Sequence, residues 1–254
     1  MVKNHIKRIN APKSWDILRK NDTFISRPNP GRDISFCISL NSAIKDVLGK
    51  VSTTKETKYL IKFKGVLVNG IRRHDEKFPL GFMDVLTLPD VKEHYRLLVN
   101  EKGKLFLHKI SDTEANVKLS KISDKKQLAR GVLQVNCTDG RNFVFKDKDA
   151  YSMKDAGIND TIIYSIPEQK LQDVFKLQKG ALVYLYKGKH IGHVVNVDDF
   201  KEGNILFKLG SDTYETKKTY AFVIGKDKSV ISLLDQKQNI EKKEAKSRSK
   251  KNQE

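Results

Sequence analysis

The dipeptide Asn69-Gly70 constrains the fold of this chain more than any other feature of its sequence. It follows Val66-Leu67-Val68, whose apolar and β-branched side chains favour a strand, and it precedes Ile71-Arg72-Arg73. A type I′ turn needs positive φ at both central residues, so Asn-Gly between two such segments is a strong signal for a β-hairpin. The sequence therefore predicts a hairpin centred on this dipeptide, with two positive charges on its return strand.

A short basic helix is predicted directly before the hairpin. Thr53 and Glu56 have the spacing of a capping box, in which each side chain accepts a hydrogen bond from a backbone N–H that the helix start leaves unpaired. Gly65 is placed to end the helix in a left-handed conformation. Three lysines recur at i, i+3 and i+7 and share one helical face: Lys55, Lys58 and Lys62. Such a unit suits an RNA backbone, although a solvated basic face without a partner has the same pattern.

The charge balance of the whole chain favours the first of these two interpretations. The 254 residues carry a formal net charge of +18, which points to a polyanionic partner. No apolar run approaches the roughly 20 residues of a membrane span, and the basic N-terminus lacks the apolar segment of a secretory signal. Cys37 and Cys137 are the only cysteines, and they are predicted to be buried, reduced thiols.

Turn signals and charge runs predict an α+β fold with five regions. In chain order they are a basic N-terminal extension (1–38), a small helix–helix–hairpin RNA-binding module (39–90), a central β-rich domain (91–173), a C-terminal small β-barrel (174–228) and a basic disordered tail (229–254). The extension is expected to become ordered on meeting phosphates, with Trp15 finding either a pocket or a base to stack on. Gly188 and Gly192 flank a basic loop and are predicted to let the backbone approach a phosphate.

The helix–hairpin unit resembles the RNA-binding module named after bacterial small-subunit ribosomal protein four. The module's pattern is a Thr-initiated helix, then Gly-x-Val-x-Val-Asn-Gly with a following basic residue, then a Gly-Asp-Val/Ile strand. The residues that carry the match here are Thr53, Glu56, Lys58, Leu60, Gly65–Gly70, Arg72 and Asp84-Val85. Many members have Arg directly after the Thr, where this chain has Thr54. The phosphate contact expected at that position therefore moves to Lys55 or Lys50.

Segments outside the module extend the resemblance to a whole family, the archaeal and eukaryotic small-subunit ribosomal protein four, "e" type. Residues 180–197 resemble the KOW motif of SH3-like RNA-binding barrels. Other matching segments are His5-x-Lys7-Arg8, Ala11-Pro12-Lys13-x-Trp15, Arg27-Pro28, Phe78–Val85, His108–Ile110, Asp139–Asn142, Ile166–Lys170, Gly188–His190 and Phe222–Gly225. The tail lacks the glycine- and arginine-rich ending of the eukaryotic form, which favours an archaeal source.

The resemblance implies a structural constituent of the small ribosomal subunit, in the cytoplasm, rather than an enzyme. It implies that the chain binds rRNA by phosphate neutralisation and supports subunit assembly and translation. Its partners would be small-subunit rRNA and neighbouring ribosomal proteins, with no cofactor, metal, membrane or small-molecule substrate and no stable homo-oligomer. The residues expected to contact RNA are His5, Lys7, Arg8, Lys13, Trp15, Arg27, Lys50, Lys55, Lys58, Lys62, Arg72, Arg73, Lys187, Lys189 and His190.

Two other classes compete with this interpretation. Pseudouridine synthases and some methyltransferases carry the same module, but a synthase needs Gly-Arg-Leu-Asp, whereas Arg96-Leu97 here runs into Leu98-Val99. A methyltransferase needs a Gly-x-Gly loop for its cofactor, and the sequence has no Gly-x-Gly. A regulatory RNA-binding factor with a KOW barrel is the second class. Such a factor would wash off small subunits in salt, whereas a constituent would stay at unit stoichiometry.

Overall fold

The structure, a computed structural model, describes residues 4–146, 153, 155–210, 212–226 and 228–233. The strands are β1 Ile6–Lys7, β2 Phe24–Ile25, β3 Cys37–Ser39, β4 Leu67–Val68, β5 Ile71–Arg72, β6 Pro79–Gly81, β7 Val85–Leu88, β8 Glu93–Val99, β9 Leu105–Ile110, β10 Val117–Gln127, β11 Leu133–Cys137, β12 Asn142–Phe145, β13 Thr161–Ser165, β14 Leu171–Phe175, β15 Leu182–Leu185, β16 Val194–Lys201, β17 Asn204–Leu209, β18 Asp212–Lys217 and β19 Ala221–Gly225. The helices are α1 Leu40–Ser42, α2 Thr54–Tyr59 and α3 Asp112–Ala115, and π-type turns at Ala43–Val47 and Leu60–Lys64 continue the first two.

This mixed, strand-rich architecture confirms the predicted α+β class. Within the described ranges, no helix is long and apolar enough to cross a membrane. Both cysteines, Cys37 and Cys137, are buried free thiols, as predicted. The predicted tail, residues 229–254, lies outside the described residues from residue 234 onward.

The helix–hairpin unit forms as its capping and turn residues predict. Thr53 Oγ1 accepts a hydrogen bond from Glu56 N at 3.2 Å, and Glu56 Oε2 accepts one from Thr53 N at 3.4 Å. Gly65 ends the helical segment with φ 75° and ψ 48°. Asn69 and Gly70 have φ of 51° and 73°, and they connect the antiparallel strands β4 and β5. The capping box, the left-handed stop and the hairpin are therefore confirmed.

The hairpin turn itself points into the molecule. Asn69 is buried, its Nδ2 donates to Asp84 Oδ1 at 2.9 Å, and its Oδ1 accepts from Val85 N at 3.0 Å. A Cβ on Gly70 would lie 2.6 Å from Ile166 Cγ2, at the end of β13. Glycine is required here by the positive φ and also by this close approach. The turn thus fixes the module against the central part of the chain.

The sheet of the module extends past the boundary predicted at residue 90. Its strand order is β5-β4-β7-β8-β9, with antiparallel pairing throughout. The predicted boundary falls inside this sheet, because Val85–Leu88 pairs residue by residue with Glu93–Arg96. In the structure the sheet ends at Ile110. The short hairpin β4–β5 is therefore the edge of a larger sheet that contains the long strands β8 and β9.

The N-terminal segment is packed against this sheet. Trp15 is fully buried, and its indole Nε1 donates to Cys37 O at 2.9 Å. Ala11 and Ile25 belong to the same core as Trp15, and the backbone of Trp15 bridges to Leu105 of β9. Of the two alternatives predicted for Trp15, the structure therefore shows the pocket. Stacking of a base on Trp15 is wrong, because protein encloses its ring on all sides.

Two further five-stranded antiparallel sheets follow, with orders β12-β11-β10-β13-β14 and β18-β17-β16-β15-β19. They share apolar core, since Leu119 and Ile163 of the first sheet lie in one cluster with Val183 and Phe222 of the second. Tyr184 of β15 also donates a hydrogen bond to the carbonyl of Val99 at the end of β8. The three sheets consequently pack on one another rather than forming separate units.

A buried ion network joins the module to the central sheet. Asp84, just before β7, accepts hydrogen bonds from Lys118 Nζ at 2.7 Å and from Arg32 Nη2 at 3.2 Å. Lys118, in β10, also donates to Asp139 at 2.7 Å. The side chains of Asp84 and Lys118 are wholly excluded from solvent. This ion network thus connects three parts of the protein: the N-terminal segment, the module and the central sheet.

Each charge in this network keeps its partner ionised. Burial alone would raise the pKa of Asp84 and Asp139, but Lys118 beside them holds both pKa values below the usual range. Burial alone would lower the pKa of Lys118, but the two carboxylates raise it above the usual lysine value. The network is therefore fully charged at neutral pH. Removing Lys118 would leave two buried carboxylates that have lost their shared cation.

Candidate nucleic-acid interface

The outer face of the module helix carries the lysines that the sequence pattern groups together. The capping box starts α2 at Thr54, so Lys55 falls in the first turn and Lys58 and Lys62 follow on the same side. All three are exposed. Lys58 Nζ lies 3.3 Å from Glu76 Oε1, with half of the lysine side chain still accessible. This basic helix face, Lys55, Lys58 and Lys62, is the first element of the candidate site.

Arg72 adds a fourth cation from the neighbouring strand β5. Its Nη2 donates to the carbonyl oxygen of Lys62 at 2.8 Å, one of the carbonyls that a helix end leaves unpaired. This hydrogen bond holds the exposed guanidinium at the end of the basic helix face. Arg73 is held differently, because its guanidinium carbon lies 4.3 Å from the ring centre of Phe78 and its side chain is half-buried. Of the two hairpin arginines, Arg72 is thus the one at the surface beside the helix.

Lys50 and Lys55 differ in their surroundings. Lys50 Nζ lies 2.9 Å from Glu93 Oε2. Glu93 also accepts hydrogen bonds from Lys109 and Tyr95, and the bonds from Lys109, Lys50 and Tyr95 lower its pKa to about 2. Lys50 therefore has a carboxylate partner ionised at all ordinary pH values. Lys55 is also exposed and, among the described residues, has no carboxylate partner, so it is the freer of the two lysines for a phosphate.

The N-terminal candidates separate into buried and exposed residues. Arg8 is only 2% exposed, and its guanidinium donates to Asp46 Oδ1 at 2.9 Å and to Leu18 O at 3.1 Å. A phosphate contact by Arg8 is therefore wrong, because its charge is already neutralised inside the protein. The exposed candidates of this segment are His5, Lys7 and Lys13. Arg27 lines a groove of about 550 Å³ together with Arg32 and Lys77.

The basic loop connects β15 and β16, so it belongs to a different sheet from the strands of the module. Lys187 Nζ is 4.6 Å from the ring centre of Phe36, so this lysine covers the N-terminal segment. The His190 ring packs 4.4 Å from that of Tyr214, and burial, with Lys189 and His193 nearby, lowers its pKa. Lys189 is exposed.

The glycines of this loop serve packing. A Cβ on Gly192 would lie 2.5 Å from the carbonyl carbon of Asn100, in the β8–β9 loop. A Cβ on Gly188 would lie 3.0 Å from the ring of Tyr220. The expectation that these glycines let a phosphate approach is corrected for Gly192, because another backbone already occupies the space.

Sequence reasoning missed two aromatic residues on the module helix. Tyr59 is 55% exposed and Phe63 is 69% exposed, and their ring centres are 5.0 Å apart. They lie between Lys58 and Lys64 along the chain. The signal available in the sequence was a pair of aromatic residues at i and i+4, each directly following one lysine of the basic helix face.

A solved structure indicates the class to which this protein belongs, the ribosomal proteins of the small subunit. The fold matches the crystal structure of the 30S ribosomal protein S4e from Thermoplasma acidophilum with a TM-score of 0.63 and 29% sequence identity. The match covers 74% of this chain and 95% of that one. Two family models also match, the ribosomal family S4e over residues 91–171 and the RS4NT domain over residues 2–31.

Full-length relatives define the family. The small ribosomal subunit protein eS4 of Methanosphaera stadtmanae is 34% identical over 239 residues, covering 91% of this chain and 96% of the relative. That of Methanocaldococcus jannaschii is 36% identical over 241 residues, covering 91% and 98%. The chain belongs to the eS4 family of small ribosomal subunit proteins. The predicted family, its archaeal affinity, its place in the cytoplasmic small subunit and its role as a structural constituent rather than an enzyme are thereby confirmed.

Proposed function

We propose that this protein binds small-subunit rRNA by distributed phosphate neutralisation, with the basic helix face as its main RNA-binding surface. The observation that carries the proposal is the exposure of Lys55, Lys58 and Lys62 on one side of a capped helix, with Arg72 fixed at its end. Cations at such spacing displace condensed counterions from an RNA backbone, which is a favourable and salt-dependent contribution to binding. Phosphate contacts of this kind also set the orientation of the protein on the RNA.

The remaining cations suited to phosphates are distributed over the other basic segments. They are His5, Lys7, Lys13 and Lys189, with Arg27 in its groove. Lys50, Arg73, Lys187 and His190 contribute less, because each is engaged by a carboxylate or an aromatic ring. Lys55 takes the phosphate contact that the resemblance leads one to expect of an Arg at position 54.

The regions predicted from the sequence take specific roles in this function. The module from residue 39, with the continuation of its sheet to residue 110, acts as the S4-type RNA-binding domain. The sheet β15–β19 with its glycine loop acts as the KOW, SH3-like barrel, a role supported by its five antiparallel strands. The protein works as a single copy among neighbouring ribosomal proteins and not as a stable homo-oligomer.

Charge reversal on the basic helix face is expected to weaken RNA binding strongly. The double variant Lys55→Glu/Lys62→Glu should bind small-subunit rRNA about 10- to 100-fold more weakly near 0.1 M salt, because two attractions to phosphates become repulsions. The slope of log affinity against log salt should become shallower by about 0.7–0.9 for each phosphate that the variant no longer neutralises. Filter binding across a salt series measures both quantities.

The matched control is Lys170→Glu/Lys179→Glu, which changes the net charge equally. Both control lysines are exposed, and they lie far from α2 in sequence, flanking β14. The control should keep most of the affinity. Equal reductions in the two double variants would show that only the overall charge matters, and unchanged binding in the helix variant would refute the proposed RNA-binding surface.

A further inference from the structure

We infer that the exposed rings of Tyr59 and Phe63 form a stacking site for an unpaired RNA base. This inference rests on the proposed RNA-binding function and adds to it a recognition of single-stranded or bulged nucleotides. Stacking on aromatic side chains is available only to bases that are not enclosed in a helix. The pair would therefore direct the basic helix face to an irregular element of the rRNA rather than to a regular duplex.

The core of the module does not use these two rings. The buried side of the helix is made by Thr57 and Ile61, which are 0% and 1% exposed. At about 100° per residue in an α-helix, Tyr59 is turned roughly 200° from Thr57, and Phe63 likewise lies two residues beyond the buried Ile61, on the opposite side of the segment. Both rings consequently face away from the packed interior. Their exposure requires an explanation outside the folding of the chain.

The two rings already stack on each other. Their centres are 5.0 Å apart and their planes are inclined by 33°, which is a tilted, partly overlapping arrangement rather than an edge-to-face one. Because both rings remain more than half exposed, the stack still offers π-face to a flat partner. Stacking on it would not distinguish strongly between the four bases, because every base has a π-face.

The surrounding charges identify the partner as a nucleic acid. Lys55, Lys58 and Lys62 lie on the same helix, and Lys64, which pairs with Asp90 at 3.0 Å and stays half-accessible, follows Phe63 directly. A patch that bound a neighbouring protein would be expected to lack lysines, which are depleted in the centres of protein interfaces. Cations around an aromatic platform instead match a base with its flanking phosphates.

The test replaces both rings by leucine. Tyr59→Leu/Phe63→Leu keeps an apolar, helix-favouring side chain at each position while removing the π-faces. We expect this variant to bind a single-stranded oligouridylate about 5- to 100-fold more weakly than the wild type, with an unchanged salt slope. Its affinity for a blunt-ended, fully paired RNA duplex of the same length should stay the same. The thermal unfolding transition should also stay the same, and Tyr59→Trp/Phe63→Trp should retain the binding.

The control removes an exposed ring elsewhere. Phe24 in β2 is 54% exposed, and Phe24→Leu should leave single-strand binding unchanged. Equal binding of the oligouridylate by the wild type and the leucine variant would overturn the stacking site while leaving RNA binding itself intact. Failure of the wild type to bind either RNA would instead refute the proposed function. A variant that binds both RNAs normally but fails to enter the subunit would show that a protein covers the patch, which also overturns the inference.

Discussion

Replacing Lys118 with methionine is expected to lower the free energy of unfolding by about 3–5 kcal/mol, the usual cost of breaking a buried ion pair. The ammonium of Lys118 lies 2.7 Å from carboxylates of both Asp84 and Asp139. Without it, two buried carboxylates face each other, with Arg32 as the nearest compensating charge on Asp84. Denaturant unfolding followed by circular dichroism measures the decrease.

The pH dependence of this decrease identifies its cause. In the wild type, the lowered pKa values of Asp84 and Asp139 contribute stability above the unfolded carboxylate pKa of about 3.9, and this stability is lost as the pH falls towards the folded values. In the variant, burial without Lys118 raises the two pKa values, so protonation relieves the unpaired charge. The difference between the two proteins should therefore shrink from pH 7 to acid pH.

A matched control removes a lysine from an exposed pair. Lys170 lies 2.6 Å from Glu168, with most of both side chains in solvent. Lys170→Met should change the free energy of unfolding by no more than about 0.5 kcal/mol. A similar destabilisation of both variants, or a pH-independent destabilisation of Lys118→Met, would contradict an origin in buried charge.

Local sequence signals were sufficient to predict the helix–hairpin unit. The capping box at Thr53 and Glu56, the left-handed Gly65 and the Asn69-Gly70 turn each depend on residues within a few positions of one another. The basic helix face followed from the helix, because its period places three lysines on one side. These features were predictable because backbone hydrogen bonding and φ preferences act over short stretches of chain.

Which of the predicted RNA-binding residues are buried depends on partners far away in the sequence, and local patterns do not reveal these partners. Arg8 and Lys7 are adjacent cations in the same motif, yet Arg8 pairs with Asp46 in the interior and Lys7 is exposed. Trp15 is buried through partners that follow it by more than 20 residues, including Cys37 and Leu105. Charge and aromatic content indicate a binding surface only after such pairings are known. The continuation of the module sheet through β8 and β9 could not be predicted either, because it depends on which strands pair with one another.

Replacing Gly192 with alanine is expected to lower the free energy of unfolding by about 2–5 kcal/mol. Part of this is the cost of a left-handed conformation for a residue with a Cβ, about 1–2 kcal/mol, since Gly192 has a φ of 84°. The rest, about 1–3 kcal/mol, comes from forcing a methyl group into occupied space. Its Cβ would meet the backbone of Asn100, which cannot rotate away as a side chain would. The close approach also ties the β15–β16 loop to the module sheet.

Gly203→Ala separates these two contributions. Gly203 has nearly the same φ, 88°, but a Cβ there would meet nothing within 4 Å. Its substitution should therefore cost only the conformational part, about 1–2 kcal/mol. Thermal and denaturant unfolding of the two variants give the difference directly. If Gly192→Ala were no less stable than Gly203→Ala but bound rRNA more weakly, the loop glycine would bind a phosphate after all. If its stability falls further, the glycine of this basic loop is required by the packing of two protein backbones.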